Sequence, residues 1–457
     1  MEQLYRSGTK VFLLVLLCSL TLVPAAYATN GMNMEGYGPI ATGMGGASMA
    51  YDNGTAAMMN NPATLSLMES KARLDLALGF LAPDITSSAP GAPDAKSSAD
   101  LFTMPAFGYA RKSGQFTYGL GVFAQGGMGT EYGADSFLAN PAGPGAPTGD
   151  LVRSELGVGR LIIPLSYEVN KDFAVAASID YVWASLDLKM ALPGSDFAGL
   201  VTSCSGPACP GLPGLAASPW VRLDFSGGGD MSGAAKGTGF AGKIGATYKV
   251  NSDITVGATY HSKTSLSDLE TKSSGAMLSA PTPSLVPAVI GAGKIKVVDF
   301  QWPATYGFGV AWKANNALMV VADVKVIGWK DVMKDFKMSY EGPVMGAPGN
   351  TINFAMPQNW KDQTVIELGA AYLFTPEFVG RIGANMSSNP IPDKDLNFLF
   401  PAIIKNHYTL GAGYAFSKAS SIDFSIAYAP EVKATAGNGI TTTHSQMNEQ
   451  IMYSYRF

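Results

Sequence analysis

The 457-residue chain is poor in charge: only 14% of its residues are Asp, Glu, Lys or Arg, and its formal net charge is −4. That share is about half the usual one, while 53 glycines and a 10% aromatic fraction are generous. The balance disfavours a soluble multidomain globule, and the lack of any concentrated basic run excludes nucleic acid as a partner.

In chain order, residues 1–28 read as a secretory signal peptide. Arg6 and Lys10 give a positive start, Val11 to Val23 an apolar stretch, and Ala26-Tyr27-Ala28 a small-residue cleavage site. The apolar stretch falls short of the roughly 20 residues of a membrane-spanning helix. Leu17 stands before Cys18 where a lipoprotein signal has a small residue, so no lipid anchor is expected. The mature chain should begin at Thr29, with a net charge of about −5 once Glu2, Arg6 and Lys10 are gone. No later run of about 18 apolar residues follows. An exported chain of this kind is a periplasmic globule or a β-barrel.

Residues 29–70 do not alternate. Gly36, Gly38, Gly43, Gly45 and Gly46 precede Ala47 to Ala50, and Asp52-Asn53-Gly54 opens a stretch ending in Asn60-Asn61-Pro62-Ala63. Asp52 or Thr55 is a candidate cap for a short helix here. Seven methionines fall in this segment: Met32, Met34, Met44, Met49, Met58, Met59 and Met68. A disordered tail is usually polar, so this apolar piece is expected to fold as a plug inside the barrel that follows.

From about residue 72 the period is 2. Leu74, Leu76, Leu78 and Phe80 alternate with Arg73, Asp75, Ala77 and Gly79; Ile366, Leu368, Ala370 and Tyr372, and later Tyr408, Leu410, Ala412 and Tyr414, repeat the pattern. Alternation means a strand with one apolar and one polar face. Six polar turns (111–114, 170–172, 250–253, 314–316, 375–377, 417–420) interleave with seven long connections (82–101, 125–152, 190–236, 271–293, 341–361, 387–406, 431–447). This rhythm predicts an all-β fold: a 14-stranded antiparallel transmembrane β-barrel over residues 71–457, with the N-terminal plug in its lumen. Strands long enough to cross a bilayer, with Phe374, Phe416, Tyr428 and Tyr453 at their ends, favour a barrel over a soluble sandwich. Lipid offers no partner to backbone N–H and C=O groups, so the sheet has to close. At Gly159-Arg160 the apolar set shifts from Leu156 and Val158 to Leu161, Ile163 and Leu165, which reads as a bulge.

An enzyme is not expected. The three histidines (His261, His407, His444) have neither metal nor triad spacing, and Gly237-x-Gly239-x-x-Gly242 enters a strand rather than a strand-turn-helix. No catalytic residue, metal or cofactor is therefore assigned. Cys204 and Cys209 should bridge in an oxidising compartment. Small inward residues (Gly119, Gly121, Gly245, Thr259, Gly307, Gly309, Gly411, Gly413) leave room for a plug and an elongated ligand. Arg160, Lys243, Lys325 and Arg381 are candidates to meet a polar ligand end, with Asp323 as an alternative partner for Lys325.

The run Gly43-Met44-Gly45-Gly46-Ala47, Asp52-Asn53-Gly54-Thr55 and Asn61-Pro62-Ala63 resembles the N-terminal hatch of the FadL/TodX family of outer-membrane transporters for hydrophobic compounds. The likeness continues in order through Pro164-Leu165-Ser166-Tyr167, Thr259-Tyr260-His261-Ser262-Lys263, Trp302-Pro303-Ala304, Trp329-Lys330-Asp331, Trp360-Lys361-Asp362 and Asn389-Pro390-Ile391-Pro392-Asp393. The resemblance implies passive uptake of hydrophobic molecules such as long-chain fatty acids across a bacterial outer membrane. It implies gating by the hatch around Asn61, Pro62, Ala63, Gly45 and Gly46, and a lateral exit at a kink in the third strand. Here that strand is Phe116 to Gln125, running into Gly126-Gly127-Met128-Gly129, and Gly119, Gly121, Gly126 and Gly127 are its candidate residues. The expected partners are fatty acids or hydrocarbons, with outer-membrane lipid and lipopolysaccharide around a monomer. The competing reading is a non-transporting outer-membrane protein whose long loops serve adhesion or phage reception.

Overall fold

The computed structural model describes residues 30–225 and 234–457; the expected signal peptide lies outside the described residues. The alternating segments form strands β1 (Ala72–Ser88), β2 (Phe102–Ser113), β3 (Phe116–Tyr132), β4 (Val152–Glu168), β5 (Phe173–Leu192), β6 (Ala235–Lys249) and β7 (Ile254–His261). Strands β8 (Ala276–Pro281) and β9 (Pro287–Val298) then leave the wall, and β10 (Thr305–Lys313) and β11 (Leu318–Ile327) rejoin it. A second excursion, β12 (Asp335–Val344) and β13 (Ala347–Pro357), precedes β14 (Gln363–Leu373), β15 (Phe378–Ser387), β16 (Asn406–Ala415), β17 (Ser420–Thr435) and β18 (Thr441–Arg456).

Antiparallel pairing passes from each wall strand to the next, crossing from β7 to β10 and from β11 to β14. β18 pairs with β1 from Arg73↔Arg456 to Ser88↔Thr441, and the sheet closes. Closure leaves no backbone edge facing lipid. The outer face carries Leu76, Ile163, Leu165, Ile179, Phe240, Ile244, Phe308 and Leu410, all exposed.

The expected count of fourteen strands is corrected. Among the described residues, eighteen strands of six residues or more build this closed sheet. The additional four, β8, β9, β12 and β13, fall largely in stretches read as long loops. They pair with one another, β8 with β9, β9 with β12 and β12 with β13, as a side sheet at the end away from the short turns. Because they stand outside the lipid band they need no outward apolar stripe, and prolines and glycines interrupt their pattern (Pro281, Pro287, Gly291, Gly293, Pro343). The connection expected over 431–447 likewise shrinks to 436–440, since β17 and β18 extend well past the membrane.

The bulge expected at Gly159-Arg160 falls on the partner strand instead: β3 carries the extra residue, between Ala124↔Gly159 and Gly126↔Val158. The β4–β5 register is continuous from Arg153↔Lys189 to Glu168↔Ala174. Leu156, Val158, Arg160 and Ile162 all face inward and are buried. At the loop end this inner face packs on a hydrophobic core with Tyr132, Val152, Leu186 and Leu188. Lower down it meets the plug and turns polar, so a change of polarity on one face imitates a change of phase.

Residues 30–70 lie inside the barrel, mostly buried. They form a four-residue helix, Pro39–Thr42, and two 3-10 turns, Gly54–Met58 and Pro62–Leu67. Pro39 and Pro62 open their elements, where a missing N–H leaves no bond unmade. Neither Asp52 nor Thr55 takes the expected cap position, which falls to Asn53 without a side-chain bond.

Candidate functional site

The plug is held by close backbone approach and by buried charge. A Cβ at Gly257 would lie 1.8 Å from Met49 O, and one at Gly245 would lie 2.1 Å from Asn61 Oδ1. Only glycine lets the wall backbone come this near to the plug. Asn61 Nδ2 donates to Met49 O (2.8 Å) and Ala246 O (3.1 Å), while its Oδ1 accepts from Ala63 N–H (3.1 Å). One side chain therefore ties the plug to itself and to the wall, with Pro62 and Ala63 buried beside it. Gly45 N–H donates to Thr409 Oγ1 (2.9 Å), and Asn385 Nδ2 donates to the carbonyls of Gly45 and Glu35 (3.2 and 3.3 Å). At Gly46 a Cβ would fall 2.0 Å from Glu35 O.

Carboxylates of the wall grip amides of the plug. Asp323 Oδ2 accepts from Ser48 N–H (2.5 Å) and Met49 N–H (3.0 Å). Asp75 Oδ2 accepts from the Thr55 N–H (2.8 Å) and hydroxyl (2.9 Å), and Arg73 in turn holds Asp75 at 2.8 Å. Hydrogen bonds to ionised groups are about twice as strong as neutral ones. From the plug side, Glu35 accepts from Asn448 of β18 (3.0 Å), and burial pushes its carboxyl up to about 7.

The four cations proposed for a ligand all have carboxylate partners. Arg160 meets Asp180 at 2.8 Å, and Lys243 bonds the same oxygen. Lys325 bonds Glu367 at 2.8 Å and Gly46 O at 3.3 Å, leaving Asp323 to the plug, and Arg381 meets Asp423 at 2.9 Å. Sequence reasoning missed Asp75, Glu367 and Asn385, and took Asp323 for a partner of Lys325 when it holds the plug. The available signal was ionisable residues on the inward face of strands in a charge-poor chain, where buried charge needs a partner.

On one arc the wall is incomplete. The β2–β3 ladder ends at Ala106↔Phe123 although both strands continue. Beyond it, Phe102 to Pro105 pair only with β1, and the β3–β4 register slips between Ala124 and Gly126. The plug supplies a substitute partner: Asn33 bridges to Gly126, and Gly127 N–H donates to Met32 O at 3.1 Å. The Tyr37 hydroxyl donates to Gln125 O at 2.7 Å. A side chain at Gly126 would place its Cβ 2.2 Å from Met32 O.

A cavity of about 470 Å³ opens at this break. Phe102, Met104, Pro105, Phe123, Met128, Val158 and Trp183 line it, with Glu155, Lys236 and Gln446 among its few polar groups. Its size and apolar lining are those of small-molecule sites, roughly 300–1,000 Å³. Of the third-strand glycines, Gly126 and Gly127 line the cavity, whereas Gly119 and Gly121 make room for Met58 of the plug. Cys204, in a short strand, Val201–Ser205, that pairs with β13, is bonded to Cys209, 5.7 Å away at Cα. His261 contacts Asn60 O of the plug at 2.8 Å. No cluster of three or more metal-ligating side chains occurs among the described residues.

A family model for outer membrane protein transport proteins (OMPP1/FadL/TodX) matches residues 15–453. Among solved structures, the P. putida toluene transporter TodX is 33% identical with a TM-score of 0.82, covering 93% of this chain and 99% of its own. The Ralstonia pickettii toluene transporter TbuX is 32% identical with a TM-score of 0.76 and the same coverage. An uncharacterized protein from the 5′ region of the phosphoenolpyruvate carboxykinase gene of Chlorobium limicola is 39% identical over 102 residues, 22% of this chain. That match spans about half (49%) of the relative's length. A closed sheet with an occupied lumen, matched in order over most of its length, places the chain in the OMPP1/FadL/TodX family of outer-membrane transporters for hydrophobic compounds.

Proposed function

We propose that the protein is a passive conduit for small hydrophobic molecules, monoaromatic hydrocarbons first among them. A molecule enters between the extracellular loops, meets the plug, and leaves sideways through the break between β2 and β3. The observation that carries this reading is the apolar cavity where the ladder stops. The plug obstructs a straight aqueous path, so a route through the wall suits a ligand that prefers lipid. The plug acts as a hatch whose turn at Asn61, Pro62 and Ala63 sets its seat, with Gly45 and Gly46 at its other contact. In this reading residues 1–28 direct export and are removed. The mature chain works as a monomer among outer-membrane lipid and lipopolysaccharide and needs no cofactor or energy source.

An uncharged substrate is favoured because Arg73, Arg160, Lys243, Lys325 and Arg381 already meet carboxylates. TodX and TbuX, both described as toluene transporters, point the same way. A second reading, long-chain fatty acids, draws on Asp180 being shared by Arg160 and Lys243, which leaves one buried cation in excess. Uptake of radiolabelled toluene and oleate by cells with and without the protein separates the two. Faster toluene entry with unaltered oleate entry is expected. Faster oleate entry alone supports the second reading, and no change in either sinks the conduit.

A further inference from the structure

Trp302, Trp329 and Trp360 stand on three separate connections, after β9, after β11 and before β14. Their rings nevertheless meet edge to face, with centroids 5.6 Å and 5.1 Å apart, and all three are buried. Such pairs add geometric preference to their buried area and hold their segments in register. The cluster also grips the start of the plug. Trp302 Nε1 donates to Asn33 Oδ1 at 2.7 Å, and a Cβ at Gly31 would lie 2.7 Å from the Trp329 ring.

Asn33 reaches the other way as well. Its backbone bridges to Gly126 at the register slip, and its Oδ1 lies 3.4 Å from the Tyr37 hydroxyl, which donates to Gln125 O. Residues 31–37 thus form a strut across the lumen, from the tryptophan cluster beside β10, β11 and β14 to the broken edge of β3. Backbone groups in a lipid-embedded wall need partners, and where β2 withdraws, this strut provides them.

We propose that Asn33 and Trp302 are positioning residues for transport. Trp302 fixes Asn33, and Asn33 holds β3 in the slipped shape that keeps the gap open. The loops carrying the cluster thereby set the gap from the opposite arc of the barrel. The inference rests on the gap being the exit, and two readouts keep the two ideas apart.

Thr103 lines the cavity and is exposed. Thr103→Cys, with the native disulfide intact, is labelled with a lipid-soluble maleimide in outer-membrane vesicles while toluene uptake is measured in parallel. Trp302→Phe keeps an aromatic, though smaller, ring and removes the N–H; Asn33→Ala removes the acceptor. Each should alter the labelling rate by about fivefold, the worth of one ordinary hydrogen bond. The double variant should match the stronger single, because one bond links the pair. Trp220→Phe serves as control, since Trp220 is buried outside the cluster and its indole nitrogen has no partner among the described residues, and should label at the parent rate. Heat-modifiable migration confirms a folded barrel in each variant, and Trp302→Phe carries the test alone if Asn33→Ala does not fold. Unchanged labelling, or effects that multiply in the double variant, overturns the positioning role. Altered labelling with undiminished uptake upholds that role and rejects the gap as the exit.

Discussion

Two arcs of one wall, β14–β15 and β2–β3, meet the same plug in different ways. Along β14–β15 the ladder is unbroken from Val365↔Ser387 to Leu373↔Val379. The plug bonds there through wall side chains: Asn385 and, on β16, Thr409. Along β2–β3 the ladder stops at Ala106↔Phe123, and the plug bonds to the backbone of β3 itself. Both arcs alternate, so strand propensity does not separate them. What differs is the residues that can maintain a ladder. Pro105 lacks an N–H, and Gly126, Gly127 and Gly129 add no side chain to the cross-strand pairs that stabilise a sheet. An opening in a membrane wall is stable only where something else satisfies the freed groups, and here the plug does.

The largest effect is expected on the intact arcs. Asp323→Ala leaves two buried plug amides without their acceptor, a loss of about 3–5 kcal/mol in plug docking. Faster hydrogen exchange at Ser48 and Met49, with leakage of small polar antibiotics, would show it. Unchanged exchange there would mean that the plug is held by close packing alone. Next comes the broken arc. Deleting Gln125 removes the one-residue slip between Ala124 and Gly126 and should let the β3–β4 register run true. Uptake should fall by about tenfold or more, equivalent to roughly 1.4 kcal/mol on the barrier, with the melting temperature maintained. Full uptake would show that the slip is incidental.

A smaller effect follows from Glu35, which lies in the plug between the two arcs. Its raised carboxyl favours the protonated, docked form, so its contribution is complete below the ordinary value of 4.5 and fades as pH rises through about 7. Protection of plug amides, taken relative to their intrinsic exchange rate at each pH, should therefore be greater at pH 5 than at pH 8, and Glu35→Gln should flatten that difference. The least is expected from Cys204→Ser with Cys209→Ser. These residues stiffen the side sheet, away from both arcs, and uptake should be unaltered.

The alternation, the short turns and the outward apolar faces were legible because each depends on neighbours in sequence and on which solvent meets each face. The Met-rich composition of residues 29–70 signalled burial for the same reason. The strand count was not legible: β8, β9, β12 and β13 lie beyond the lipid, where no solvent contrast imposes a pattern. The partners of Arg160, Lys243, Lys325 and Arg381 were hidden too, since Asp180, Glu367 and Asp423 are ordinary polar-face residues until strand pairing brings them within reach.

By itself, then, the sequence determined a closed antiparallel wall with lipid on its outside, because a period of two is written one residue at a time. Tertiary structure alone decided where that wall stays open. Asn33 meets Trp302 across 269 positions of chain and Gly126 across the lumen, contacts that no local pattern encodes. Which backbone groups lose their ladder, and which plug residue replaces it, depends on how a closed barrel folds around its own N-terminus.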